Sequence, residues 1–251
     1  LISKASLFYP DAKIRFNQAV KIAVCAAGYD VQAQIKGGYP HGYIYCASNA
    51  GILDGLSLGG EDFLSYKDGL ILLYNMATAD MLFESSFGGR VTYSTQKGVN
   101  VLSKYKGIIK AEGKVIGNQN TYINDYTESC KENFISIGGE LYKTDEYQDL
   151  LGQNIIFFYK DTNNKEILYA LPYENNIVHF SLDDSLSFEN GSVVCYNKDK
   201  KENKYKLESV YNIILNGKSA KNQNIGSYLS NENAKITILD NDYNKNYDVV
   251  F

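Results

Sequence analysis

Apolar positions recur every three or four residues early in the chain and every two residues later. Phe16, Ala19, Val20, Ala23, Val24 and Ala27 share one face of a helix, and Gly28 is placed to stop it. Tyr43, Ile44, Ala47 and Ala50 mark a second helix from about Tyr43 to Ala50, followed by Gly51. Leu70, Leu73, Tyr74, Ala77 and Met81 predict a third helix from Tyr66 to about Met81, with those residues on one side. Ser65 and Asp68 have capping-box spacing before it: Ser65 caps, and Asp68 reaches back toward the positive helix end. From about Ser85 the period becomes two. Val91, Tyr93 and Thr95 alternate with Thr92 and Ser94.

Further strands are expected over Ile108 to Val115, Phe134 to Ile137, Asn176 to Leu182, Ser192 to Tyr196, Tyr205 to Leu215 and Lys235 to Leu239. Asn154 to Tyr159 and Glu166 to Leu171 flank a polar loop and read as a hairpin. Thr144 to Leu151 reads as a short helix capped by Thr144 and stopped by Gly152. The fold class is α+β, a small helical module followed by one or two mostly antiparallel β modules. The boundary is expected between Ser85 and Arg90, giving domains 1–84 and 85–251.

Composition narrows the classes. The chain has 251 residues, 29 acidic against 25 basic side chains, and a net charge of -4. That balance lacks the footprint of a general nucleic-acid binder. No apolar run approaches the roughly 20 residues that span a bilayer. A hydrophobic fraction of 44% suffices for a core. Tyr reaches 22 while Trp is absent, which suits strands with polar tips better than a compact enzyme core. The chain begins at Leu1 with no signal-peptide pattern, and is expected to be a processed product or a fragment. Cys25, Cys46, Cys130 and Cys195 form no CxxC pair and no disulfide scaffold. Cys25 and Cys46, among small residues such as Ala23 and Ala47, are expected as small buried hydrophobes. His41 and His179 are far apart, a weak basis for zinc.

Lys13 to Ile22 can be laid on Phe63 to Leu72: a leading residue, a polar first turn, then an apolar helix, about 50 residues apart. Ile14 through Tyr29, Gly37-Gly38-Tyr39-Pro40-His41-Gly42-Tyr43, Ala47-Ser48-Asn49-Ala50-Gly51-Ile52-Leu53 and Leu64 through Met76 resemble S-layer homology repeats. The likeness is to the divergent form in surface proteins of clostridia and related Gram-positive bacteria. It covers roughly residues 7 to 84, about one and a half repeats. Asn216-Gly217-Lys218 and Ile238 to Asp242 look like the β-rich region that follows such repeats. The resemblance implies a bundle of short helices, normally three repeats arranged as a pseudo-trimer. It also implies noncovalent attachment to secondary cell-wall polysaccharide, often pyruvylated, outside the cell. The family motif reads Ile-Thr-Arg-Ala-Glu at a helix start. Here the copies are Ile14-Arg15-Phe16-Asn17-Gln18 and Leu64-Ser65-Tyr66-Lys67-Asp68, so Phe16 and Tyr66 stand at the arginine position. A helix start with an arginine suits an anionic ketal, and without it the bidentate partner is gone. Arg15 or Lys67 would have to substitute from the next position, about 100° around the helix. The expected polymer-binding set is therefore weak: Arg15, Tyr39, Tyr43, Tyr66 and Lys67, the tyrosines either stacking on sugars or closing the helix core.

Asp240, Asp242, Asn244 and Asp248 fall at positions one, three, five and nine of a calcium-type loop. Lys245 replaces the expected glycine and no position-twelve glutamate follows, so a plain Asn/Asp turn between strands explains the same residues. Gly37-Gly38 and Gly59-Gly60 lack the setting of a phosphate loop and read as turns. Glu61-Asp62 and Asp183-Asp184 are adjacent acids, not pairs set across a cleft. The serines lack a nucleophile elbow. Lys198 to Lys204 alternates sign and reads as a hairpin tip in water. The expectation is a noncatalytic cell-surface or S-layer-associated structural protein with no cofactor, its partners wall polysaccharide or another surface-layer protein. The alternatives are a carbohydrate- or peptidoglycan-acting enzyme with acids in the β region, and an assembly module that binds no polymer.

Overall fold

The structure is a computed structural model, described here for residues 11–125, 127–173, 175–182, 184–196, 201–220, 225–229 and 234–251. The fold is α+β. Helices come first and sheets follow. Two compact units divide between Ile109 and Lys110. That division lies beyond the change of period at residue 85, because the first hairpin packs back on the helices.

In the first unit α1 (Phe16–Ala26), α2 (Asp30–Ile35), α3 (His41–Asn49) and α4 (Tyr66–Thr78) surround one core. Phe16, Val20, Ala23, Val24, Tyr43, Ala47, Ile52 and Leu72 fill it. The buried face of α1 is the predicted one. Small side chains let the helices approach closely. A methyl group on Gly42 would sit 1.9 Å from the Ala33 carbonyl oxygen. Ser65 caps α4 by accepting the Asp68 N–H at 3.2 Å. The Asp68 carboxylate reaches back, but to the Ser65 hydroxyl rather than to the backbone N–H.

α4 ends earlier than the pattern predicts. The helix stops at Thr78, because Ala79 is extended. Its buried side carries Leu72, with Met76 and Ala79 packed against the core. Leu70, Leu73 and Tyr74, which the pattern sets on one side, lie 49%, 57% and 47% exposed in a row with Tyr66. Period analysis found the helix and its apolar stripe. It could not know that a second stripe faces out.

β1 (Leu82–Phe87) and β2 (Arg90–Thr95) form a separate two-stranded sheet, and α5 (Val101–Lys106) follows. α5 carries a capping box between Asn100 and Ser103.

In the second unit a closed five-stranded barrel contains β3 (Ile108–Gly117), β4 (Phe134–Ile137), β5 (Glu140–Lys143), β6 (Asn154–Lys160) and β7 (Glu166–Pro172). The predicted hairpin is the β6–β7 pair. Val115, Ile135, Ile155 and Phe157 fill the barrel. The remaining strands are β8 (Asn176–His179), β9 (Ser185–Glu189), β10 (Ser192–Tyr196), β11 (Glu202–Leu215), β12 (Lys218–Ala220), β13 (Thr237–Asp240) and β14 (Tyr247–Val250). They form a sheet of order β8-β13-β14-β11-β10-β9, with β12 on β11. The β11–β14 pair is parallel and its neighbours are antiparallel. α6 (Ile225–Leu229) packs Ile225 and Leu229 onto this sheet's core. The helix expected over Thr144 to Leu151 is only a single 3-10 turn, Gln148–Leu150, because Tyr147 is left-handed at φ 60°. No helix among the described residues is long and apolar enough to cross a membrane.

Candidate functional site

The two motif copies lie side by side. Leu64 N–H donates to Ile14 O at 3.0 Å, Phe16 N–H donates to Asp62 O at 2.8 Å, and Arg15 bridges Phe63. The two copies thus open α1 and α4 from a shared stub of antiparallel backbone. The Arg15 side chain is committed there. Its guanidinium donates to the Glu61 carbonyl at 2.8 Å and carboxylate at 2.9 Å, and lies 4.9 Å from the Phe63 ring centroid. Phe16, at the arginine position, is a core residue at 4% exposure. Tyr66, the equivalent in the second copy, is 84% exposed, and Lys67 beside it is exposed. Neither copy presents a cation on the motif face.

Tyr39 and Tyr43 meet edge to face at 6.2 Å, and the Lys21 ammonium stands over both rings. Tyr43 closes the core and offers no face to a sugar. Its hydroxyl donates to Asp30 at 2.6 Å and accepts from Gln34 at 2.7 Å. The Asp30 bond, with burial, pushes the phenol up to about 12. The same bond, with one from Cys25, holds the Asp30 carboxyl below its ordinary value. Cys25 is exposed, not the buried hydrophobe expected, because it sits on the outer side of α1. Partial burial and its bond to Asp30 push the thiol up to about 11. That disfavours the thiolate a nucleophile needs. Cys46, Cys130 and Cys195 are buried, and burial raises each.

The predicted set therefore does not converge. Arg15 is tied to Glu61 and Tyr43 is inside. What the structure adds is a groove of about 510 Å³ in the first unit, between α2, α3 and β2. Tyr29, Gln32, Lys36, Tyr45, Asn49 and Tyr93 line it, with hydroxyls from Ser94 and Thr95. Tyr45 is half exposed and has the Lys36 ammonium 5.4 Å from its centroid. Tyr29 is anchored through its hydroxyl to Asp80 O at 2.9 Å. None of the lining residues is an acid. Rings, amides, hydroxyls and one cation can hold a polar ligand, and they supply no carboxylate for acid–base chemistry. Sequence spacing gave no sign of this groove, because its walls come from separate elements between Tyr29 and Thr95.

The remaining candidates resolve as follows. Glu61 holds Arg15, Asp62 accepts the Gly59 N–H at 2.7 Å, and Asp184 accepts the Ser181 N–H at 2.8 Å. Asp183 and Lys198 to Lys200 lie outside the described residues. His41 starts α3 in the first unit. His179 lies on β8 in the second, with Nδ1 2.9 Å from the Thr237 hydroxyl.

Asp240, Asp242 and Asp248 bring carboxylate oxygens within 4.8 Å of one another. Asp240 is 1% exposed and accepts the Lys245 N–H at 2.9 Å. Burial pushes the Asp248 carboxyl up. Asn244 does not join the carboxylates as a ligand. Its Oδ1 accepts the Asn246 N–H at 2.7 Å, and its Nδ2 donates to Asp242 and Glu208. It is a strut of the turn, because left-handed Tyr243 and Lys245 fold the chain around it.

No family model, no curated protein and no solved structure matches this chain.

Proposed function

We propose that this chain is a noncatalytic structural segment of a bacterial cell surface, divergent from S-layer homology repeats, whose helical unit holds wall glycan weakly. The observation that carries the reading is the acid-free groove lined by Tyr45, Lys36, Gln32 and Asn49. Sugar faces stack on such rings, and their hydroxyls bond to such amides. Lys36 suits an anionic substituent as a point charge, without the bidentate geometry of arginine. The side-by-side helix starts at Arg15 and Phe63 support the repeat kinship. The outward stripe of Tyr66, Leu70, Leu73 and Tyr74 supports contact with other surface-layer protein.

The test is binding of purified secondary cell-wall polysaccharide, native and depyruvylated, by calorimetry and sedimentation. Weak binding is expected, lost in Tyr45→Ala and kept in Arg15→Ala. Saturable micromolar binding that needs Arg15 and the pyruvyl group would return the site to the motif and overturn the groove. Release of new reducing ends from wall glycan would overturn the noncatalytic reading.

A further inference from the structure

We propose that the free edge of β2 is a self-association site, where β2 pairs antiparallel with β2 of a second copy of this chain. The inference concerns the first unit and does not rest on the glycan reading.

The backbone sets which groups are free. Gly88-Gly89 is a two-residue loop, so Phe87↔Arg90, Ser85↔Thr92 and Phe83↔Ser94 are the pairs that exchange backbone bonds. Leu82, Glu84 and Ser86 on β1, and Val91, Tyr93 and Thr95 on β2, then turn their N–H and C=O groups outward. One observed bond fixes this phase: the outward Leu82 N–H donates to Ala27 O at 3.1 Å. That contact occupies one end of the β1 edge. Among the described residues, no backbone bond from outside the hairpin reaches Val91, Tyr93 or Thr95. Every residue of β2 except Tyr93 is exposed. A two-stranded ribbon is marginal by itself, and a bare edge is a template for a further strand.

The sequence of the edge selects the occupant. Val91-Thr92-Tyr93-Ser94-Thr95 carries no charge and no proline, and the β1–β2 ladder runs without a bulge. These are the devices that guard an edge against pairing, and all three are missing here. The segment is also self-complementary. An antiparallel two-fold centred on Tyr93 sets Val91 opposite Thr95, Thr92 opposite Ser94, and Arg90 opposite Gln96 of the second copy. Tyr93 with Tyr93 and Val91 with Thr95 are then narrow pairs, which join the outward N–H and C=O groups of both copies. β-branched and aromatic side chains meet across the seam, and no like charges face each other. The β1 edge lacks this property, because the same operation there puts Glu84 opposite Glu84. The contact is isologous and closes as a dimer, with a four-stranded sheet of order β1-β2-β2-β1.

Sedimentation velocity on the full chain, from about 1 µM to about 500 µM, reads the mass directly. A reversible rise from the 28.1 kDa monomer toward twice that mass is expected, the weak association of a small interface. Val91→Pro removes one outward N–H and leaves the hairpin's own bonds in place. It is expected to raise the dimer dissociation constant about tenfold or more. Ser86→Pro removes an outward N–H from the β1 edge and is expected to keep the constant within about twofold. Far-UV circular dichroism checks that both variants fold. Gln96 is exposed, so its variants test the register without disturbing the hairpin. Gln96→Glu, facing Arg90, is expected to tighten the dimer about threefold and Gln96→Lys to weaken it about as much, both effects fading with salt. A chain that stays monomeric across the range would overturn the site. A dimer that Val91→Pro and both Gln96 variants leave unmoved would overturn the assignment to this edge.

Discussion

The contact of α2 with α3 gives the sharpest test of the first unit. Adding one methyl group at Gly42 places it 1.9 Å from the Ala33 carbonyl oxygen, 2.9 Å from its carbon and 3.2 Å from the Lys36 carbonyl carbon. Real Cβ atoms essentially never approach closer than 3.0 Å, so the two helices must separate by more than an ångström. The obstacle is backbone, which has no rotamer to change. Overpacking of this kind typically costs 1–3 kcal/mol, and a backbone clash belongs at about 3 kcal/mol. Replacing a helical glycine by alanine returns about 1 kcal/mol of propensity. The net loss for Gly42→Ala is about 2 kcal/mol, a midpoint about 10 °C lower for a unit near 100 residues. Gly69→Ala is the control. Its new methyl group meets only Leu64 Cδ2, at 3.4 Å. It keeps the propensity gain and is expected to raise the midpoint by about 4 °C. Thermal melts followed by far-UV circular dichroism report this unit, which holds five of the six described helices. A Gly42→Ala variant melting at or above wild type would refute the close approach and the packing built on it.

Three further outcomes are expected. Asp30 has a lowered carboxyl value through Tyr43 and Cys25, so its contribution is present above the ordinary value of 3.8 and lost as pH falls through the depressed one; Tyr43→Phe should flatten that acid limb in midpoints measured against pH. The Cys25 thiol, raised from 9.0 to about 11, holds roughly a hundredfold fewer thiolates at pH 8, so alkylation should be slow and should accelerate in Asp30→Asn, as mass spectrometry would show. Arg15→Ala removes an exposed ion pair with Glu61 and a ring contact with Phe63, and urea melts should show a loss of about 0.5–1 kcal/mol that shrinks with salt.

The helical and strand classes were legible because a single buried face leaves a period. α1 shows it best: Phe16, Val20, Ala23 and Val24 are both the pattern and the core. α4 shows the limit. Two apolar stripes share one helix, and the spacing alone does not say which is covered. The short strands β5 and β9 were missed, yet their turns carried a signal. Gly138-Gly139 and Asn190-Gly191 have both residues at positive φ, the tight hairpin geometry that such dipeptides favour. Of the candidate sites, the acidic turn was visible because its carboxylates are close in sequence. The Tyr45 groove was not, since no local rule brings Gln32, Asn49 and Thr95 together.

β14 is held on both flanks, by antiparallel β13 and by parallel β11. A pull transmitted along β14 therefore slides it past two neighbours at once, and the ladders on either side must fail together rather than unzip rung by rung.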